Sequence, residues 1–187
     1  MELTDIITVY SEKTPNPESM KFVANKMILP NDSIDFRTNE DLDTCPMAQE
    51  LFGYDFVKGV FIMNNFVSVT KKADYEWFEI IPQLKKFVQE YLEAEKPIVV
   101  VKEVLTDEEE SEVVTKIKQL LEDHVRPAVE MDGGAIDFKS FEAGIVTVTM
   151  KGSCSGCPSS TLTLKAGIEN LLKRMIPEVE AVEAEAA

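Results

Sequence analysis

Apolar positions along the chain recur at two periods, and the switches between them outline the elements. Residues 6–9 predict a short strand, and the two prolines of TPNP at 14–17 then exclude regular structure. Short extended pieces follow around Phe22 and across 27–29. After the polar stretch NDSIDFRTNEDLD, the segment CPMAQELF sets Met47, Leu51 and Phe52 at helical spacing, with Gly53 as a stop. The runs VKGVFIM and FVSVT enclose Asn64-Asn65, a pair that tolerates positive φ, which predicts a hairpin over 57–70. A helix from about 74 to 92 carries Trp77, Ile80, Ile81, Leu84, Phe87, Val88 and Tyr91 on one face, with Pro82 either kinking it or marking its true start.

From Glu93 to Glu112 the chain turns acidic, as a linker would. Thr106 and Glu109 have capping-box spacing ahead of a helix whose stripe is Val113, Val114, Ile117, Leu120, Leu121 and Val125, and Pro127 should help to end it. Ile136 and Phe138 alternate with polar residues, Glu142-Ala143-Gly144 turns the chain, and IVTVTM resumes the alternation, a second hairpin. Pro158 suits the first turn of a helix with Leu162, Leu164, Ile168, Leu171, Leu172 and Met175 as its apolar face, and Pro177 ends it, with room for a last short strand. The final EVEAVEAEAA holds only acidic and small residues and reads as a frayed end. No repeat of fixed period is present. The predicted fold class is α+β, with two small domains, each a β-sheet packed with helices. The first covers 1–94, an acidic linker 95–109, the second domain (helix, hairpin, CxxC loop, helix) 110–180, and an acidic tail 181–187.

Composition narrows the partners. A formal net charge of -15 opposes phosphate backbones and anionic lipid surfaces, so neither nucleic acid nor membrane is expected as a partner. The first residues show no basic region followed by an apolar run and no Arg-rich transit character, and no stretch approaches the ~18 apolar residues of a membrane span, which predicts a cytoplasmic protein. Three cysteines, an odd number, argue for reduced thiols over a disulfide framework.

Two of those cysteines share the segment KGSCSGCPSS at 151–160. Cys154 and Cys157 can point into one concavity if the backbone between them curls, and Gly152 and Gly156 make curling cheap. Amide groups at the following helix start favour thiolate over thiol, the form that binds metal. Two thiolates are too few for a closed zinc site or an ordinary iron-sulfur cluster, each of which takes about four protein ligands. A two-fold dimer would supply the other two, with the metal centre at the subunit seam. On these residues alone zinc binding, dithiol redox chemistry and cluster binding all stay open, although thioredoxin folds deliver CxxC from a parallel βαβ unit rather than from a hairpin.

The stretch from Ile117 to Val179, through RPAVEMDGGAIDF, GSCSGCPSSTLTLKAGIENLL and IPEV, resembles the NifU-like C-terminal domain of the Nfu family. TPNPESMKF, GVFIMNNFVSVTK and Trp77 resemble the family's N-terminal domain, so the likeness covers nearly the whole chain. It implies a scaffold or carrier, not an enzyme, that holds a 4Fe-4S cluster between two subunits on Cys154 and Cys157. Its implied partners are a second copy when loaded, an upstream assembly scaffold and apo iron-sulfur client proteins. The Asp132-Gly133-Gly134 corner belongs to the same pattern, and its expected role is a tight helix-to-strand turn. The alternatives are a zinc module and a thiol-disulfide oxidoreductase.

Other residues have plainer readings. Cys45, beside Pro46 at a helix start, fits a small buried hydrophobe, and His124 a structural histidine. Trp77 fits core packing. Lys151, Lys165, Lys173 and Arg174 could offset an anionic cluster or simply face water.

Overall fold

The computed structural model describes residues 6–40, 42–100, 111–154 and 158–186. The chain divides into two compact units, Met1–Lys102 and Glu103–Ala187. Both combine a sheet with helices, so the fold class is α+β.

The first unit is an antiparallel sheet in the order β1-β2-β5-β4-β3, built from β1 (Val9–Lys13), β2 (Ser19–Ala24), β3 (Leu29–Phe36), β4 (Val57–Asn64) and β5 (Phe66–Lys71). Register sets Met20 beside Val69 and Val69 beside Val60, while Phe22, Val67 and Ile62 form the next row. These side chains share one apolar core with Met47 and Leu51 of α1 (Pro46–Phe52) and Ile80, Leu84 and Val88 of α2 (Trp77–Glu93). Asn64 takes φ 46° where Met63 pairs with Phe66, so the β4–β5 hairpin forms at the asparagine pair.

Several boundaries differ from the pattern reading. The first strand starts at Val9, because the side chain of Asn25 bonds both Ile6 O (2.9 Å) and Thr8 N–H (3.0 Å) in place of a strand partner. The polar stretch after Leu29 is itself strand β3: at a sheet edge polar positions face water, while the Phe36 side chain reaches the core, and a register shift lies between Leu29 and Ser33. Helix α2 starts at Trp77, with Pro82 inside it rather than at its start. Residues 95–100, assigned to the linker, belong to the first unit. Ile98 packs on the core, Tyr91 donates to Pro97 O at 2.7 Å, and Val100 N–H donates to Thr44 O at 2.8 Å. The rest of the expected linker, with Thr106 and Glu109, lies outside the described residues.

In the second unit α3 (Glu112–Leu120) is capped by Ser111, whose hydroxyl accepts from Val114 N–H at 3.3 Å. Pro127 does not end this helical run. A π segment, Leu121–Val125, joins α3 to α4 (Arg126–Met131), and Arg126 N–H reaches back five residues to Leu121 O. A continuing α-helix would aim an amide of residue 127 at the carbonyl of residue 123. Proline has no such amide and its ring would meet that carbonyl, so the wider π turn absorbs the mismatch.

The sheet of this unit runs β6-β7-β8, with β6 (Gly134–Glu142) antiparallel to β7 (Ile145–Gly152). Ala143 and Gly144 form the connecting turn, both at positive φ (48° and 79°), as a primed hairpin turn requires. α5 (Pro158–Met175) then crosses to β8 (Ala181–Ala186), which pairs with β7 in parallel. The segment read as an acidic tail is therefore a strand. Val182 is fully buried and Ala184 packs on the core, while Glu183 and Glu185 occupy the alternate positions. Alanine and glutamate are poor strand formers, and the open edge of β7 overrides that preference. The core gathers Ile117, Val129, Val148, Ile168, Leu172 and Val182. Leu162 and Met175, expected on the buried face of α5, are 69% and 45% exposed.

Candidate functional site

The cysteine segment begins where β7 ends. Gly152, at φ 67°, pairs with Gly134 and turns the chain into Ser153 and Cys154, and α5 opens at Pro158. Of the two cysteines singled out, Cys154 is described; Cys157 lies outside the described residues, so the structure gives no distance between them.

Cys154 is held from two sides. Thr161 of α5 donates its hydroxyl to Cys154 O at 3.2 Å. On the other side Ser153 N–H donates to Gly133 O at 3.4 Å, and the Ser153 hydroxyl donates to Asp132 O. Cys154 is 6% exposed and packs with the core of its unit.

The glycine corner does two different jobs. Gly133 sits at φ 78°, the left-handed geometry that lets α4 turn into β6. At Gly134 space decides: a Cβ there would lie 2.8 Å from Cys154 Sγ and 2.7 Å from Lys151 O. The second glycine thus makes room for the cysteine, a role that a turn-based reading of Asp-Gly-Gly does not contain. No local sequence signal could have found it, because the contact spans the β6–β7 register.

Two of the cations that could offset an anionic cluster are answered by carboxylates, and one of them, Lys173, lies in the last turn of α5, at the end remote from the cysteine segment. Lys151 Nζ lies 2.5 Å from Asp137, and Lys173 Nζ lies 2.7 Å from Glu169. Glu169 also accepts from Val182 N–H at 3.2 Å, tying α5 to the start of β8. The Lys173 bond first, and then the Val182 amide, hold the Glu169 carboxyl below the usual carboxylate range.

Cys45 is fully buried just ahead of α1, and burial pushes its thiol pKa up against the smaller opposing pull of the Ala48 and Met47 amides. That is the setting of an inert core thiol. His124 is exposed within the π segment. Trp77 packs against the first core and donates its indole N–H to Pro17 O at 2.9 Å. Among the described residues no three His, Cys, Asp or Glu side chains converge as a metal site, and no helix is long and apolar enough to cross a membrane.

Two family models match the chain: Scaffold protein Nfu/NifU N terminal over residues 9–95, and NifU-like domain over residues 117–183. NFU1 iron-sulfur cluster scaffold homolog, mitochondrial, from Homo sapiens is 39% identical over 179 residues, covering 94% of this chain and 70% of that protein. NifU-like protein 5, mitochondrial, from Arabidopsis thaliana is 38% identical over 185 residues, covering 95% of this chain and 67% of its own length. A solution NMR structure of a NifU-like protein from Saccharomyces cerevisiae aligns at TM-score 0.48 and 23% identity, over 55% of this chain and 92% of that one. The two family models fall on the two α+β units in chain order, the second on the unit that carries the cysteine segment. The chain belongs to the Nfu/NifU family of iron-sulfur cluster scaffolds.

Proposed function

We propose that this protein carries a 4Fe-4S cluster as cargo on Cys154 and Cys157 of two copies and hands it to apo-proteins. The observation that supports this reading most is the space at Gly134, where a bare methyl group would collide with Cys154 Sγ. The fold sets a thiol at the junction of a hairpin and a helix and keeps the opposite strand clear for it.

Coordination number then requires the second copy. A cluster takes about four protein ligands, and one CxxC supplies half of them. Thiolate is the ligand iron accepts most readily in such clusters, and delivery proceeds as acceptor cysteines replace the four thiolates in turn. This is ligand exchange, with no substrate turned over, so the protein is not an enzyme. The partners are a second copy, an upstream assembly scaffold that loads it, and client apo-proteins. The first unit, whose Cys45 is buried in its core, would recognise clients. Deleting the first unit, residues 1–102, should spare iron uptake and slow delivery, and an unchanged transfer rate would sink that assignment. The human and Arabidopsis relatives are named as mitochondrial, whereas the sequence predicts a cytoplasmic protein, and fractionation of its source cells decides between the two.

Anaerobic reconstitution with iron and sulfide tests the core of the proposal. The expected product has a broad visible charge-transfer band and about four irons and four sulfides per dimer. Cys154→Ala and Cys157→Ala should each lose it while the rest of the chain stays folded. A colourless protein that holds zinc instead, or full iron retention by either variant, would refute it.

A further inference from the structure

Four large apolar side chains are exposed among the described residues of the second unit: Met131, Ile145, Leu162 and Met175. The two most exposed, Met131 at 75% and Leu162 at 69%, both adjoin residues bonded to the cysteine segment. Met131 precedes Asp132, whose carbonyl accepts the Ser153 hydroxyl. Leu162 follows Thr161, whose hydroxyl holds Cys154 O at 3.2 Å. Ile145 and Met175 lie elsewhere, at the start of β7 and the end of α5.

Leu162 is exposed on a helix whose buried positions are Ile168 and Leu172, and covering it in a dimer would remove that apolar area from water. We infer that Met131 and Leu162 form an apolar rim that seals against the same rim of a second copy of this chain when the cluster is shared. This rests on the carrier reading above and adds to it the surface that meets and what that surface does.

Three considerations select the second copy as occupant. The ligand set is incomplete without it, since a shared cluster forces the cysteine segments of the two copies to within its own width. A two-fold arrangement sets the same patch on both sides, so whatever flanks Cys154 in one copy faces its equivalent in the other. A net charge of -15 on each chain opposes association, so cohesion beyond the shared cluster itself is best supplied by an apolar contact. Closed in this way, the rim shields the cluster from water and chelators, and opening it exposes the thiolates to an acceptor.

The test uses the full chain carrying Met131→Ser and Leu162→Ser together, the two single variants, and Met175→Ser as an exposed apolar control remote from the cysteine segment. Surface substitutions should leave apo melting temperatures within about 2 °C of wild type. After reconstitution, sedimentation equilibrium measures the dimer dissociation constant, and the decay of the visible band under a chelator measures cluster lifetime. The double variant should still take up iron and sulfide at high protein concentration, with its dimer constant raised about tenfold or more and cluster loss faster by a similar factor. Each single variant should show part of this change and Met175→Ser none. A double variant within about twofold of wild type, or an equal effect from Met175→Ser, overturns the rim while the carrier reading stands. A wild-type chain that takes up no cluster overturns both.

Discussion

Gly134→Ala gives the sharpest test of how the site is built. The added Cβ would stand 2.7 Å from Lys151 O, 2.8 Å from Cys154 Sγ and 3.2 Å from Cys154 Cβ. The carbonyl belongs to β7 in the register where Gly134 pairs with Gly152, so it cannot retreat without opening the end of the ladder. The thiol packs with the core of its unit, so shifting it away from the new methyl group disturbs that packing. Overpacking of this kind costs about 1–3 kcal/mol, and two contacts under 3.0 Å argue for the upper half of that range. Against this, replacing a glycine outside the left-handed region stabilises by about 0.4–1 kcal/mol through the unfolded chain. The net expectation is a loss of roughly 1–2 kcal/mol, or about 5–15 °C in the melting of a domain of this size. Trp77 is the only tryptophan and sits in the first unit, so calorimetry rather than fluorescence should follow the second. Combining Gly134→Ala with Cys154→Ala removes the sulfur contact and leaves the carbonyl contact. The double-mutant cycle should therefore show a coupling of about 1 kcal/mol. A Gly134→Ala chain as stable as wild type, or a cycle that is simply additive, would refute the idea that residue 134 is a glycine on account of the cysteine.

Three further outcomes follow from the same structure. Val182→Ala should destabilise the second unit by roughly 2 kcal/mol, since that fully buried side chain joins β8 to the core, and a neutral result in urea unfolding would return the last residues to a frayed end. Glu169 binds its proton less tightly in the folded chain, so its bonds to Lys173 and Val182 stabilise above about pH 4.3 and fade as pH falls through the lower folded value. The difference in melting temperature between wild type and Glu169→Gln should narrow in acid, and a difference unchanged from about pH 6 to pH 3 would count against it. Gly167 lies inside α5 with nothing within 4 Å of where its Cβ would be, so Gly167→Ala should raise stability by roughly 0.5–1 kcal/mol in a thermal melt, and a loss would mean that something packs on that face.

Strong local signals were legible in the residue pattern: both hairpins, the buried stripes of α2 and α3, and a helix opened by Pro158. What escaped had causes elsewhere in the fold. β8 consists of residues that disfavour strands, and only the unpaired edge of β7 makes them one. Pro127 breaks a helix by local rules, yet a π turn upstream lets the run continue. Residues 95–100 look like linker by charge and are held to the first unit by Tyr91 and Thr44. At the site, the cysteine spacing and the glycine corner could each be read in the sequence, but their contact could not, because Gly134 and Cys154 are brought together by strand pairing.

That contact limits which side chains position 154 can hold. A side chain at residue 154 has to fit beside a strand that has no room for one extra methyl group, and it has to be at home among Ile117, Val148 and Leu172. Imidazole is too bulky for that slot, and a carboxylate would carry its charge into an apolar core. Sulfur meets both demands, being compact and polarizable enough to pack as a hydrophobe and soft enough to bind iron as thiolate. The packing of residue 154 alone therefore disfavours nitrogen and oxygen side chains there.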